Sequence, residues 1–201
     1  VLFYNVMPLY LGQLQESNGL SLAQTGLIAS LFFGGFNLAS FSSYFWVRRA
    51  PLFQTTLALT ILLILGLLLA IYPYGFFYQA AVTFTIGFIS GGIASIAFTI
   101  AGDAKDSTRW YGLQTATNSA SGVILLFVLP VTLIPTYGFS GLVYGMIITL
   151  LLLLPAYFYL LRTPLPSSNV VTADERNDVT SSGNLSRTPA LIALAAVALL
   201  L

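Results

Sequence analysis

The stretch Leu57–Tyr72 reads LALTILLILGLLLAIY. Polar and apolar residues do not alternate in it, whereas the strands of a membrane β-barrel alternate over about ten residues. A lipid bilayer offers no water to a backbone N–H or C=O group, so a spanning segment has to pair these groups internally, as a helix does. The stretch therefore predicts a helix that crosses a membrane.

Similar apolar runs lie on both sides of this stretch. A spanning helix needs about 20 apolar residues, and the first run is too short for that, so we interpret it as a truncated helix. The predicted helices are Val1–Gln15, Leu22–Val47, Phe53–Tyr72, Gly75–Gly102, Trp110–Ile134 and Phe139–Leu161. The fold class is therefore all-α, a polytopic bundle of six transmembrane helices over residues 1–161.

The composition agrees with lipid as the solvent. Hydrophobic residues make up 57% of the chain and charged residues 6%, against about 25% charged in a soluble domain. The net charge of +1 says little about partners, but the sequence has no basic patch beyond the loop arginines, so we do not expect nucleic acid as a partner. Cysteine and histidine are absent, which removes disulfides, thiolate chemistry and the commonest metal ligand. We expect no cofactor, no metal and no enzymatic activity.

The polar gaps between the runs alternate in charge. All seven basic residues lie at Arg48–Arg49, within Asp103–Arg109, or from Arg162 onward. The gaps near Glu16–Leu20, Tyr72–Gly75 and Pro135–Gly138 contain none. Lys and Arg in short loops stay on the cytoplasmic side. We therefore predict a multi-pass protein of the cell membrane, with the loops of Arg48, Arg109 and Arg162 in the cytoplasm.

The end of the sequence differs in composition from the six runs. Residues 162–188 are rich in Ser, Thr, Asn, Pro and charge, which is typical of a flexible linker. Residues 189–201 are apolar again and predict the start of a seventh helix, truncated here. We expect the chain to be a piece of a longer protein.

The six predicted helices differ in polar content. The third helix and the second half of the sixth are almost purely aliphatic, whereas the first, second, fourth and fifth contain amides and hydroxyls. Polar side chains in membrane helices avoid lipid, so we expect these four helices at the centre and the other two at the periphery. Candidates for a solute pathway near the midplane are Asn5, Asn37, Ser90, Gln114 and Asn118. The alternative is that they only join helices, at about 0.6 kcal/mol each.

Glycines and charges suggest two further roles. Gly87 and Gly91 in the fourth helix, and Gly141 and Gly145 in the sixth, have the four-residue spacing that lets helices approach closely. The loop residues that are candidates for gating are Arg48, Arg49, Asp103 and Arg109. Asp103 and Arg109 are expected to form either a loop gate or a solvated ion pair.

The order of polar and apolar helices, followed by a cytoplasmic linker, resembles the N-terminal six-helix half of a major facilitator superfamily transporter. Two stretches are similar to that family: PLYLGQLQESNGLSLAQTGLIASLFFGGFNLAS, from Pro8 to Ser40, and GDAKDSTRWYG, from Gly102 to Gly112. The resemblance implies a secondary transporter that moves a small organic solute by alternating access. It also implies the lipid bilayer and the C-terminal half of the same transporter as partners.

The sequence departs from the family pattern in several places. Only the basic pair Arg48–Arg49 remains of the signature between the second and third helices, and Tyr44 replaces its Asp. Thr83 stands where the fourth helix usually has Arg, and the fifth helix lacks the Gly-Pro motif of drug/proton antiporters. Drug efflux is therefore disfavoured. A non-transporting receptor or scaffold on the same fold is the alternative, and a membrane enzyme fits least.

Overall fold

A computed structural model describes residues 2–103 and 107–162 of the chain. Those residues form six α-helices and no β-strand, which confirms the all-α class. The helices are α1 (Leu2–Asn18), α2 (Leu22–Trp46), α3 (Leu52–Ala70), α4 (Phe76–Gly102), α5 (Ser107–Thr132) and α6 (Ile134–Arg162). The predicted linker beyond Arg162 and the predicted seventh helix, 189–201, lie outside the described residues.

Five of these helices are long and apolar enough to cross a membrane: α2, α3, α4, α5 and the part of α6 from Ile134 to Leu152. The remaining helix, α1, has 17 residues, about 25 Å at 1.5 Å per residue. A hydrocarbon core is about 30 Å thick. At this length α1 is shorter than a full span, and its truncation stays a prediction.

The turn between α1 and α2 is encoded locally. Gly19 has φ of 61°, a left-handed conformation that glycine adopts without a steric penalty. Ser21 then caps α2: its Oγ accepts from the Gln24 N–H at 3.3 Å, and the Gln24 Oε1 accepts from the Ser21 N–H at 2.9 Å. This capping box satisfies two N–H groups at the start of the helix, so α2 turns back directly after α1.

The sixth helix is interrupted near its start. Gly138 has φ of 56° and ψ of −136°, so the turn Ile134–Tyr137 and the helix from Phe139 onward are separate pieces. The sequence-based start of the sixth helix at Phe139 corresponds to the second piece. Glycine is suited to this break because a side chain at positive φ would be strained.

The helices are not buried as the polar content predicts. Over an apolar stretch of 18 residues in each helix, 72% of the residues of α4 are buried, against 28% for α2, 28% for α3 and 22% for α5. The expectation that four helices are central is therefore wrong for the described residues, because only α4 is enclosed on most sides. One face of α2 and one face of α5 remain open, although both helices contain polar residues.

The packing of the six helices has an internal regularity. The main pairs in contact are α1–α2, α1–α5, α1–α6, α2–α4, α3–α4, α3–α6, α4–α5 and α5–α6. Suppose that the first three helices are exchanged with the last three in order, α1 with α4, α2 with α5 and α3 with α6. The contacts of α1 then become contacts of α4 that are also observed: α1–α5 becomes α2–α4, α1–α6 becomes α3–α4, and α1–α2 becomes α4–α5. The contact α3–α6 is converted into itself. Only α5–α6 has no counterpart among these pairs. Gly87 and Gly91 of α4 contact Phe32 and Phe36 of α2 in the same order along both chains, so α2 and α4 run parallel. Because α1 turns back into α2, α1 and α4 run in opposite directions, and so do the two three-helix units.

Candidate functional site

A pair of asparagines joins α1 to α5. The side-chain Nδ2 of Asn5 donates to the backbone carbonyl and to the Oδ1 of Asn118, at 2.9 Å in each case. Both residues are half-buried. Two of the predicted pathway residues are thus in direct contact, and in this structure they hydrogen-bond to each other.

The same contact explains a glycine and a serine of α5. A Cβ added at Gly122 would lie 2.6 Å from the Cβ and 2.9 Å from the Nδ2 of Asn5, so only glycine leaves room for the amide. Ser121 donates its hydroxyl proton to the Asn118 carbonyl at 2.8 Å. That carbonyl therefore accepts two side-chain hydrogen bonds besides its place in the helix.

A second polar contact joins α1 to α4. The Tyr10 hydroxyl and the Thr83 Oγ1 share a hydrogen bond of 3.1 Å, and both residues are 0% exposed. The Tyr10 ring lies 4.9 Å from the Phe3 ring and 5.4 Å from the Phe139 ring, between centroids. Tyr10 therefore fills the space between α1, α4 and α6 with an aromatic ring and one hydrogen bond.

Glycines bring α2 and α4 into backbone contact. A Cβ at Gly87 would collide with the Phe32 carbonyl oxygen, and one at Gly91 with the Phe36 carbonyl oxygen. Gly35 of α2 is reciprocal, since its Cβ would collide with the Phe84 carbonyl oxygen. Small residues at such positions let helices pack closely in lipid, so this is the tightest helix pair described here.

The glycines of α6 have two different neighbours. A Cβ at Gly145 would strike the Leu129 side chain of α5 and lie 2.9 Å from the Leu133 Cδ1. A Cβ at Gly141 would collide with the Leu133 carbonyl oxygen. Gly145 lies where α5 packs on α6, whereas Gly141 makes room for the turn that precedes the Gly138 break.

The cross-helix contacts give the relative depth of the polar residues. Ser90 follows Thr83 by about 10 Å along α4, and Asn5 precedes Tyr10 by about 7 Å along α1, at 1.5 Å per residue. The two helices run in opposite directions, and Tyr10 and Thr83 are in contact. Ser90 and the pair of Asn5 with Asn118 therefore lie within about 3 Å of the same depth.

Asn37 lies at the same depth, but its side chain does not point toward the other candidates. It follows Phe36, which packs against Gly91 next to Ser90. Its side chain is exposed, however, and its Nδ2 donates to the Phe33 carbonyl of its own helix at 2.8 Å. The structure thus places Asn37 on the open face of α2, apart from the other candidates.

Gln114 and Ser90 are the buried members of the predicted set. Gln114 is 8% exposed and lies one turn before Asn118 on α5, and Ser90 is 4% exposed on α4. The Ser90 Oγ has no hydrogen-bond partner among the described residues. Most buried or half-buried Ser and Thr hydroxyls of these helices bond to a carbonyl three or four residues earlier, as Ser95 does to the Gly91 carbonyl at 2.8 Å. Ser90 is therefore a buried hydroxyl whose hydrogen-bonding capacity is unused.

The charged end of the bundle contains a different ion pair from the expected one. Asp103, at the end of α4, pairs with Arg48 of the loop after α2, with 3.2 Å between the Arg48 Nη2 and the Asp103 Oδ1. The predicted pairing of Asp103 with Arg109 is thus replaced by a contact between two loops. The Arg48 and Asp103 side chains are 75% and 52% exposed, and Arg49 and Arg109 are also exposed.

Three residues of this site were not among the sequence candidates. Tyr10, Gly35 and Gly122 form cross-helix contacts as close as those of the predicted set. A weak signal existed for Gly122, because it lies four residues after Asn118 on the same face of α5. Tyr10 could not be distinguished in the sequence from the other ten tyrosines of the chain.

Comparison of the chain with protein-family models, with curated proteins and with solved structures finds no match. Its class therefore rests on its own residues. It is an all-α membrane protein, a helical bundle with five helices long and apolar enough to span a bilayer. Among the described residues, no group of three or more His, Cys, Asp and Glu side chains could hold a metal ion.

Proposed function

We propose that the chain is the N-terminal half of a secondary transporter of the major facilitator type, which moves a small organic solute across the cell membrane by alternating access. The observation that carries the proposal is that most helix contacts are preserved when α1, α2 and α3 are exchanged with α4, α5 and α6. Transporters of this type contain two inverted three-helix repeats within each six-helix half, and their solute sites lie near the bilayer midplane.

The chemistry of the proposed wall is neutral. Asn5, Ser90, Gln114 and Asn118 lie on α1, α4 and α5 within about one helical turn in depth, and they offer amides and a hydroxyl. Over residues 1–161, the acidic side chains are Glu16, Asp103 and Asp106. The two of these that the structure describes lie near or at helix ends. This combination favours an uncharged solute that is held by hydrogen bonds, with any coupling carboxylate in the second half, or uniport.

Some helix glycines have free space where a side chain would be, and these support a second half of the transporter as the partner. A Cβ at Gly26 or Gly34 of α2, or at Gly112 of α5, would meet nothing within 4 Å. Glycine in a helix interior costs about 1 kcal/mol relative to alanine, and packing within the six helices does not explain that cost here. Small residues let membrane helices approach closely, so these faces suit helices of a C-terminal half.

The proposed orientation follows from the ends of the helices. Arg48 and Asp103 are paired, so the loop after α2 and the end of α4 share one side of the membrane. Tyr72 and Tyr74 are stacked, with 5.9 Å between ring centroids, beyond the other end of α3. Arginine-bearing loops remain cytoplasmic, and tyrosines are common at both interfaces. The Arg48 side is therefore the proposed cytoplasmic side.

The test is a screen for uptake by the full-length protein. Cells that express the protein and cells with an empty vector are offered a panel of labelled, uncharged metabolites, and the accumulated label is measured. Saturable accumulation of at least one solute is the expected result. Protein present in the membrane at normal amount but without uptake of any solute, together with capture of a soluble partner, would favour the receptor or scaffold alternative.

A further inference from the structure

Three buried polar atoms of the described residues have no hydrogen-bond partner: the Asn18 Nδ2, the Gln79 Oε1 and the Ser90 Oγ. Gln79 is 0% exposed and Ser90 is 4% exposed. A buried polar atom left unpaired costs about 1–3 kcal/mol. In folded proteins such atoms are commonly satisfied by buried water, which makes about three hydrogen bonds.

The two α4 residues with unpaired atoms share a helical face with Thr83, which contacts α1. Gln79, Thr83 and Ser90 are spaced by four and then seven residues, which places them on one helical face. The direction of that face is fixed by Thr83, whose hydroxyl is bonded to Tyr10 of α1. Gln79 lies about 6 Å from Thr83 toward the start of α4, and Ser90 about 10 Å toward its end.

The remaining unpaired atom belongs to α1. Asn18 is the last residue of that helix and lies about 12 Å beyond Tyr10. Because α1 and α4 run in opposite directions, Asn18 is on the same side of Tyr10 as Gln79. The Asn18 Nδ2 is a donor and the Gln79 Oε1 is an acceptor, and the two residues are about 6 Å apart in depth. Gln79 itself is fixed, since its Nε2 donates to the carbonyls of Ala70 at 3.1 Å and Tyr72 at 2.9 Å.

Tyr10 lies between Ser90 on one side and Gln79 and Asn18 on the other. Its ring is completely buried, its hydroxyl is bonded to Thr83, and the rings of Phe3 and Phe139 pack against it at 4.9 and 5.4 Å between centroids. Phe139 reaches this place directly after the helix break at Gly138. The Tyr10 side chain, which is hydrogen-bonded to Thr83 and packed against Phe139, therefore lies between the depth of Gln79 and the depth of Ser90.

We propose that water binds inside the bundle on both sides of Tyr10, at Ser90 on one side and at Gln79 and Asn18 on the other, and that Tyr10 is the barrier between the two sides. The ligand is water in both sites. The inference needs insertion of the bundle in a membrane but does not depend on transport, so the uptake screen and the following test can fail separately.

Thiol labelling tests the proposal, because the 201-residue sequence contains no cysteine. Ser90→Cys is labelled in sealed vesicles of known orientation with a small, membrane-impermeant methanethiosulfonate. The reacting species is the thiolate, which forms only where water reaches the sulfur. Ser95→Cys is the matched control, because Ser95 is also buried and lies nearer to the Arg48 end, yet its hydroxyl is satisfied within its own helix.

Two results are expected. From the Arg48 side, Ser90→Cys reacts at least about tenfold faster than Ser95→Cys. From the Tyr72 side, adding Tyr10→Ala raises the rate at Ser90→Cys by at least about tenfold, and Thr83→Ala serves the same purpose if Tyr10→Ala does not accumulate. Equal rates at the two cysteines from the Arg48 side would overturn the Ser90 water site. An unchanged rate from the Tyr72 side in both barrier variants would overturn the role of Tyr10.

Discussion

Asn5 of α1 donates its side-chain N–H groups to the carbonyl and to the Oδ1 of Asn118 in α5, at 2.9 Å each. This pair connects the first helix to the fifth. When the two three-helix units are exchanged, the α1–α5 contact corresponds to the α2–α4 contact. In the α2–α4 contact, glycines pack against backbone carbonyl groups and no asparagine pair is present between these two described helices. The two equivalent places are therefore stabilised by different chemistry.

We first predict the strength of the asparagine pair. Asn5→Ala and Asn118→Ala should each lower the free energy of unfolding by about 0.5–1.5 kcal/mol, with a coupling of about 0.6 kcal/mol between them. The measurement is a double-mutant cycle by denaturant titration in detergent. Strictly additive losses would show that the two side chains do not interact.

The second prediction concerns the α2–α4 contact. Gly91→Ala should destabilise the protein by about 1–3 kcal/mol, because the new Cβ collides with the Phe36 carbonyl oxygen and the helices must separate. Gly34→Ala is the control on the neighbouring helix: its Cβ meets nothing within 4 Å, and alanine is the better helix former by about 1 kcal/mol. Thermal unfolding of the six-helix chain measures both. A Gly34→Ala variant as unstable as Gly91→Ala would contradict the helix packing described here.

The third prediction concerns the ion pair at the charged end. Arg48→Asp should cost less than about 1 kcal/mol of stability, since exposed ion pairs contribute little, and Asp103→Arg in the same chain should restore the loss. The effect should shrink as salt is raised from about 0.01 to 1 M, where the screening length falls from about 30 to 3 Å. A loss that persists at high salt would mean that the arginine contributes through packing and not through charge.

The fourth prediction concerns sidedness. A single cysteine at Arg49 should react with an impermeant thiol reagent only from the cytoplasm, and one at Tyr74 only from the opposite side. Both positions are exposed beyond the helices, so burial does not limit either reaction. Labelling of both cysteines from one side would contradict the proposed topology, and the reversed pattern would contradict its orientation.

Much of the fold was predictable because lipid imposes one condition along the whole chain. Runs such as Leu57–Tyr72 can satisfy their backbone only as helices, so element type and approximate limits followed from hydropathy. The shared depth of Asn5, Ser90 and Asn118 also followed, because depth depends only on the distance along each helix. The sequence placed the start of the sixth helix at Phe139, directly after the break at Gly138. It did not predict the helical turn Ile134–Tyr137 before the break, or the positive φ of Gly138.

The side of the helix on which a polar side chain lies was less predictable than its depth in the membrane. Asn37 is polar and at the same depth as the other candidates, yet it satisfies its amide on the Phe33 carbonyl and faces outward. A side chain that can bond to its own helix need not point to the centre, so polarity alone does not identify a central helix. Likewise Asp103 was expected to pair with Arg109 in the same loop, and only the packing of the helices brings it next to Arg48.

Transport itself is tested most directly by one pair of substitutions in α5. Gln114 is buried at the level of the proposed wall, and Ser119, five residues later, is exposed on the same helix. In proteoliposomes containing the full-length protein and a solute found in the screen, Gln114→Leu should reduce saturable uptake by about tenfold, the factor that corresponds to about 1.4 kcal/mol. Ser119→Leu should retain normal uptake at the same amount of protein per vesicle. Equal uptake by the two variants and the unsubstituted protein would contradict a solute wall formed by α1, α4 and α5.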